Sequence, residues 1–96
     1  MRHHDLKCWP SAFAAVASGQ KRHEVRVNDR DYMPGDTVTL REWDPTTTNH
    51  VTRGYTTRAL DFVIGHVTEA GTWGLPSQPR ICVFTLLPPT TSKETK

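Results

Sequence analysis

The chain of 96 residues has no apolar run close to the roughly 20 residues that cross a membrane as a helix. Its opening segment, MRHHDLKCWP, carries charge but lacks the apolar centre of a secretory signal peptide. Two cysteines, Cys8 and Cys82, are too few for a disulfide scaffold, so we expect reduced, partly buried thiols. These absences predict a protein without a membrane partner and with the cytoplasm as its default location.

Sequence patterns of several catalytic and metal-binding classes are missing as well. There is no glycine-rich phosphate loop of the Walker type and no G-x-S-x-G nucleophile motif. Ser11 and Ser18 have no base nearby in sequence to activate them. The five histidines lack metal-ligand spacing, so we expect neither a zinc site nor another cofactor. The net charge of +2 permits a nucleic-acid partner without requiring one.

The length allows one domain with a single core. Loose alternation of polar and apolar residues predicts a first strand over residues 4–9. Pro10 suits the first turn of a helix, and an apolar stripe at helical spacing continues from it. Gly19 supplies the left-handed residue that commonly ends a helix, so we predict a helix over residues 10–18.

Four further segments have the pattern of strands: residues 22–27, 37–42, 56–67 and 81–87. In the first of them we expect Val25 and Val27 to enter the core, while Glu24 and Arg26 face outward together. Gly65 is expected to mark a bulge in the third. The last, ICVFTLL, is apolar on both faces, which predicts a central strand.

The remaining segments indicate loops and a tail. Residues 44–54 are threonine-rich and polar, and residues 68–80 contain glycines and prolines around Trp73, which we expect to anchor that loop. One early helix and about five strands indicate a small closed or nearly closed barrel over residues 4–87. Residues 88–96 are predicted to form a flexible tail. The pattern alone leaves OB-like and SH3-like barrels open.

Charge is concentrated in residues 19–30, GQKRHEVRVNDR, which carry four cations and two carboxylates beside a predicted strand. Such a cluster is costly to bury and unnecessary for folding, which favours a functional site. It also fits a surface ion-pair network that adds little stability. Residues 28–30 fit a turn, with Arg30 as a phosphate contact the alternative. Trp9 fits either a core or lid position or a platform that stacks a base.

The residues Gly19, Lys21, Glu24 and Arg26 form the string G-x-K-x-x-E-x-R. Together with LKCWP, NDRD, PGDTVTLREWDP and GYTTR in this order, the string resembles the ASCH domain, part of the PUA-like superfamily, in a bacterial and phage branch. The resemblance covers approximately residues 4–87. It implies an α+β, mainly β fold: a PUA-like small β-barrel with an N-terminal helix covering one opening.

The resemblance also implies a cleft that binds RNA or a nucleotide. We therefore expect a non-catalytic nucleic-acid or nucleotide-binding module that holds RNA, or a single modified or flipped base. The expected contact residues are Lys7, Trp9, Lys21, Glu24, Arg26, Arg30, Tyr55 and Arg58. Replacing Lys21 or Arg26 with alanine should then weaken binding with little loss of stability.

Two other functions stay open from the sequence. Some small ASCH proteins hydrolyse acylated cytidine nucleosides with a lysine and a threonine of this string. Here Glu24 stands where the threonine would be, so we expect it to pair with Lys21 instead of acting as a nucleophile. A ribonuclease or amidohydrolase that uses Lys21 and Glu24 for acid–base chemistry is the first alternative. A phage-type protein acting through an apolar patch near Trp73 and Leu75 is the second. The oligomeric state is left open.

Overall fold

The protein is represented by a computed structural model that describes residues 1–47 and 51–89. Its elements follow in the order β1 His3–Cys8, α1 Pro10–Ala17, β2 His23–Val27, β3 Thr37–Trp43, β4 Tyr55–Thr68, a short 3-10 turn Thr72–Gly74, and β5 Ile81–Leu87. The chain is therefore mainly β with one short helix, as predicted. Residues 90–96 of the expected tail and residues 48–50 of the expected loop lie outside the described residues.

The five strands form one sheet in the order β1-β3-β4-β5-β2. β1 runs parallel to β3, and the other neighbouring pairs are antiparallel. The sheet curls into a half-barrel in which β1 and β2 are the two edge strands. We call the gap between these two edges the seam.

Helix α1 follows directly from the end of β1. Pro10 occupies its first turn, and Gly19, with φ of +84°, adopts the left-handed conformation just beyond its end. Phe13 and Val16 are buried where the helix packs against β3, whereas Trp9 is 59% exposed. The apolar stripe thus begins inside the helix, and Trp9 is not a core residue.

The core lies on the concave face of the sheet and under α1. Its members are Leu6, Cys8, Phe13, Val16, Tyr32, Val38, Leu40, Ile64, Cys82, Phe84 and Leu86. β5 pairs with strands on both sides, which confirms the prediction of a central strand. Cys8 and Cys82 are free and buried, at 3% and 0% exposure, so they are more deeply enclosed than expected.

The prediction that Val25 and Val27 enter the core is wrong, although the residues that share a face were predicted correctly. Val25 is 54% and Val27 47% exposed, while Glu24 is buried. The two valines lie on the outer face opposite Val83 and Ile81 of β5, where β-branched pairs stabilise the sheet. The charged face of β2 can turn inward because cations neutralise Glu24 there.

Two expectations for the later part of the chain have different outcomes. The register of β4 against β5 shifts between Ile64 and Val67, which confirms the irregularity expected at Gly65. Trp73 does not anchor its loop, because the residue is 86% exposed and its own backbone is left-handed, with φ of +50°. No helix in the described part of the chain is long and apolar enough to cross a membrane.

Candidate functional site

A pocket of about 540 Å³ opens in the seam between the two edge strands. We call it the seam pocket. Its lining residues come from the end of β1, from α1, from the turn after α1 and from β2: Lys7, Cys8, Trp9, Ala12, Lys21, Glu24, Val25, Arg26 and Val27. Five of the eight contact residues predicted from the sequence therefore lie around one cavity, namely Lys7, Trp9, Lys21, Glu24 and Arg26.

Two arginine side chains cross the seam and take the place of strand pairing. Arg26 Nη2 donates a hydrogen bond to the Lys7 carbonyl oxygen at 2.6 Å, and Arg30 Nη1 donates to the Asp5 carbonyl oxygen at 3.2 Å. Both acceptors are backbone groups of β1. Arg30 thus lies further along the seam than the pocket, and its guanidinium joins the edge strands.

Glu24 is the acidic centre of the seam pocket, and only 6% of its side chain is exposed. One carboxylate oxygen accepts from Lys21 Nζ at 2.9 Å, and the other accepts from Arg26 Nε at 2.8 Å. Lys21 Nζ also donates to the His23 carbonyl oxygen at 2.6 Å. The predicted ion pair between Glu24 and Lys21 is confirmed, and a second cation completes it.

The end of α1 places Lys21 at this position. The N–H of Gly19 donates to the Val16 carbonyl at 3.1 Å, and the N–H of Lys21 donates to the Ala15 carbonyl at 3.0 Å. These bonds satisfy carbonyls that the helix end would leave unpaired. The chain therefore turns from helix to strand within a few residues, and Lys21 lies beside Glu24, the carboxylate of β2.

Trp9 forms one rim of the seam pocket, and Trp43, which is not a lining residue, packs against it. Trp9 meets Trp43 edge to face with ring centroids 6.1 Å apart, and Lys7 Nζ lies 4.4 Å from the centroid of Trp43. The indole N–H of Trp43 donates to the Arg53 carbonyl at 3.0 Å, which fixes the ring. Gly54 allows this packing, because a Cβ there would lie 2.5 Å from Trp43 Nε1. Trp43 was not among the contact residues predicted from the sequence, because its contact with Trp9 depends on the pairing of β1 with β3.

A second buried carboxylate, Glu42, lies on β3 opposite Cys8. It accepts a hydrogen bond from the Thr56 hydroxyl at 2.9 Å, and Arg58 Nη1 lies 3.8 Å away. The Arg58 guanidinium also covers the ring of Phe13 at 4.7 Å. Glu42 was not predicted as a site residue. The two-residue alternation of β3 nevertheless puts it on the same buried face as Val38 and Leu40.

Arg58 and Tyr55 were predicted as contact residues, but neither lines the seam pocket. Arg58 lies between Glu42 and α1, and 57% of its side chain is exposed. Tyr55 begins β4 beside Trp43, its partner in the sheet register. Both residues therefore lie on β4 beside residues of β3, outside the lining of the seam pocket.

The Cys8 thiol forms part of the pocket lining without being poised for reaction. Burial, and then the negative charge of Glu24, raise the pKa of this thiol, although Lys21 and Arg26 act in the opposite direction. The thiol therefore stays protonated at neutral pH, and a protonated thiol is a poor nucleophile.

The charges of the seam pocket favour an anionic ligand. Three cations, Lys7, Lys21 and Arg26, surround one carboxylate, which leaves a net charge of +2. The ammonium group of Lys7 lies against the face of Trp43 and is not paired with Glu24. Lys7 can therefore bind an anion in the pocket. Among the described residues, no group of three His, Cys, Asp or Glu side chains could hold a metal ion.

The fold and the pocket define a small, mainly β domain with a cationic, tryptophan-rimmed pocket at an open sheet edge. The chain belongs to the family described as Domain of unknown function (DUF3850), whose model matches residues 3–85. It is 36% identical over 70 residues to the "Uncharacterized 12.9 kDa protein in GpA 3'region" of Escherichia phage P2. That match covers 73% of this chain and 58% of the phage protein's length.

Proposed function

We propose that this protein binds nucleotides or single-stranded nucleic acid in the seam pocket, and that its fold is of the PUA-like type with an ASCH domain. The observation that carries the proposal is the convergence of Lys7, Lys21 and Arg26 with the exposed ring of Trp9 around one cavity. Cations beside an aromatic surface are what a phosphate and its attached base require. The cavity of about 540 Å³ is in the range of small-ligand sites.

Each part of a nucleotide has a counterpart in this arrangement. The phosphate is assigned to Lys7 and to the side of Lys21 and Arg26 that does not face Glu24. The base is assigned to Trp9, which is 59% exposed and supported by Trp43. A base that stacks there must be unpaired, so single-stranded or extruded nucleotides are the proposed targets.

The alternative function is hydrolysis with Lys21 and Glu24 as the acid–base pair. The contacts of these residues support it less well than binding. Both oxygens of Glu24 already accept hydrogen bonds from cations, and Lys21 Nζ donates to two acceptors. A general base needs a free lone pair within reach of the proton that it removes. We therefore place binding first.

The test compares Trp9→Ala with Trp73→Ala, which removes an 86% exposed tryptophan that does not line the seam pocket. The affinity of labelled single-stranded RNA is measured by fluorescence anisotropy. Because stacking one base contributes about 1–3 kcal/mol, Trp9→Ala should weaken binding roughly 5- to 150-fold. Trp73→Ala should leave the affinity unchanged. Equal affinities for the two variants would count against the seam pocket as the binding site.

A further inference from the structure

The free edge of β2 presents hydrogen-bonding groups to the seam pocket. In an antiparallel pair, alternate residues direct their backbone groups towards the partner strand, and those between them direct theirs away. The N–H of Asn28 donates to the Arg80 carbonyl at 2.7 Å, and the N–H of Leu86 donates to the Arg22 carbonyl at 2.9 Å. The even-numbered residues of β2 therefore bond to β5, whose register is continuous between these two pairs. The odd-numbered residues direct their backbone groups into the seam.

Some of these seam-facing groups are already bonded within the protein. The His23 carbonyl accepts from Lys21 Nζ, and the Val27 carbonyl accepts from the Asp29 N–H at 2.9 Å. Across residues 1–47 and 51–89, no protein partner is found for the Val25 carbonyl or the Val27 N–H. These two groups follow each other along the same edge, and both residues line the seam pocket. They form an acceptor and a donor side by side.

We propose that the Val25 carbonyl and the Val27 N–H bind the pairing edge of one nucleobase held in the seam pocket. Every standard base has a donor and an acceptor side by side on that edge, so the base forms two parallel hydrogen bonds with the strand. This inference rests on the proposed function and deepens it, because it assigns the base to a backbone contact as well as to Trp9. The ligand class is a nucleotide whose base-pairing edge is free.

The seam favours a flat, anionic ligand over an added peptide strand. An extended peptide pairing along the whole edge of β2 would have to displace Arg26 from the Lys7 carbonyl and Arg30 from the Asp5 carbonyl. A single base that bonds to the Val25 carbonyl and the Val27 N–H occupies only these two groups of the edge, and it leaves the Arg30 bridge to the Asp5 carbonyl in place. The net charge of +2 around the pocket matches a phosphate and gives no advantage to an uncharged peptide.

The backbone donor can be removed by one substitution. Val27→Pro deletes the N–H that faces the seam, and proline is tolerated on edge strands when its missing N–H is not part of the sheet ladder. Val27→Ala is the matched control, because it shortens the side chain and keeps the N–H. The affinities of the four nucleoside monophosphates for the native protein are measured first by calorimetry, and the variants are then compared on the tightest ligand.

We expect Val27→Pro to weaken that nucleotide about tenfold, since the acceptor of the bound base loses its partner. Val27→Ala keeps the N–H and is the reference for this loss, and the affinity of Val27→Pro for ribose 5-phosphate, which has no base, should stay within about twofold of that of Val27→Ala. Native affinity in a folded Val27→Pro variant would overturn the backbone contact. If single-stranded RNA binds the native protein but none of the four nucleotides does, the backbone contact to a single base is overturned. If neither RNA nor nucleotides bind, the proposed function itself fails, which is a separate and distinguishable result.

A ligand-side measurement covers the case in which Val27→Pro does not fold. The native protein is titrated with the same nucleotide methylated on the ring nitrogen of its pairing edge, for example N3-methyluridine 5'-monophosphate against uridine 5'-monophosphate. On uracil or guanine, methylation of this nitrogen removes a donor without changing the phosphate or the charge of the base. On adenine or cytosine it would add a positive charge, so for these bases the exocyclic amine is dimethylated instead, which removes the donor. We expect about a tenfold loss of affinity. Equal affinities for the two ligands would overturn the proposal.

Discussion

At the scale of single residues, Glu24 determines how the charged cluster behaves. Its carboxylate is buried and held by Lys21 and Arg26. Removing both cations leaves a buried charge without compensation, so Lys21→Ala/Arg26→Ala should lower the free energy of unfolding by about 3–5 kcal/mol. Adding Glu24→Gln to the double variant should restore most of that loss. Urea unfolding of the three proteins measures both effects, and unchanged stability in the double variant would contradict the burial of Glu24.

This expectation replaces the one made from the sequence, in which alanine at position 21 or 26 cost little stability. That expectation assumed an outward-facing cluster. Because the cluster faces the seam, a loss of binding in Lys21→Ala or Arg26→Ala would combine a lost contact with a weakened fold. Lys7 is the better probe of binding, since its ammonium contacts Trp43 and forms no described ion pair.

The identity of residue 24 also gives a prediction about chemistry. A carboxylate paired with two cations has no hydroxyl to acylate, so the native protein should not hydrolyse N-acetylcytidine. Product is followed by chromatography for the native protein and for Glu24→Thr and Lys21→Ala. Turnover that appears only in Glu24→Thr would indicate a pocket that lacks just the nucleophile. Turnover by the native protein that Lys21→Ala abolishes would favour catalysis over binding.

At the scale of elements, β2 shows what alternation can and cannot predict. The pattern correctly grouped Glu24 with Arg26 and Val25 with Val27. It did not determine which group faces inward, because a two-residue period is the same for either choice. Assigning valines to the core is the usual outcome, but here the inner face of β2 borders the seam. The decisive contacts come from Lys21 and from the Lys7 carbonyl on another strand.

A buried polar contact attaches the turn before β3 to β1. Asp36 accepts hydrogen bonds from His4 Nε2 at 2.9 Å and from the N–H groups of Arg2 and Met33, each at 3.1 Å. Burial alone would raise the pKa of Asp36, but the hydrogen bond from His4 and those from the two backbone N–H groups together lower it.

A carboxyl whose pKa is lowered by folding stabilises the protein above its unfolded pKa, near 4, and this contribution is lost as the pH falls through the lower folded value. Asp36→Asn should therefore be about 1–3 kcal/mol less stable at pH 7 and lose less stability than the native protein on acidification towards pH 3. Asp31→Asn is the control, because it also removes one negative charge but at a side chain that is 73% exposed. Urea unfolding at several pH values measures the difference. Parallel pH profiles for native protein and Asp36→Asn would contradict this role.

At the scale of the whole molecule, the sequence predicted the elements better than their arrangement. Strand and helix positions follow from local periodicity, and each predicted strand overlaps an observed one. The order of the strands in the sheet does not follow from local periodicity. β1 pairs with β3 across α1 and β2, and β2 pairs with β5 across more than half of the chain. The seam, and with it the meeting of Lys7 with Trp43, results from these long-range pairings.

The cations around the seam pocket predict how the affinity for RNA depends on salt concentration. Binding through phosphates releases condensed counterions, so the logarithm of the affinity for single-stranded RNA falls with the logarithm of salt concentration by about 0.7 for each phosphate contacted. With three cations at the seam pocket, we expect a slope of about −2. Lys7→Ala should reduce the magnitude of this slope by about 0.7. Arg41→Ala removes a cation from the neighbouring position on β3, outside the pocket lining, and should leave the slope unchanged. Affinity that does not depend on salt would show that phosphate contacts do not drive binding.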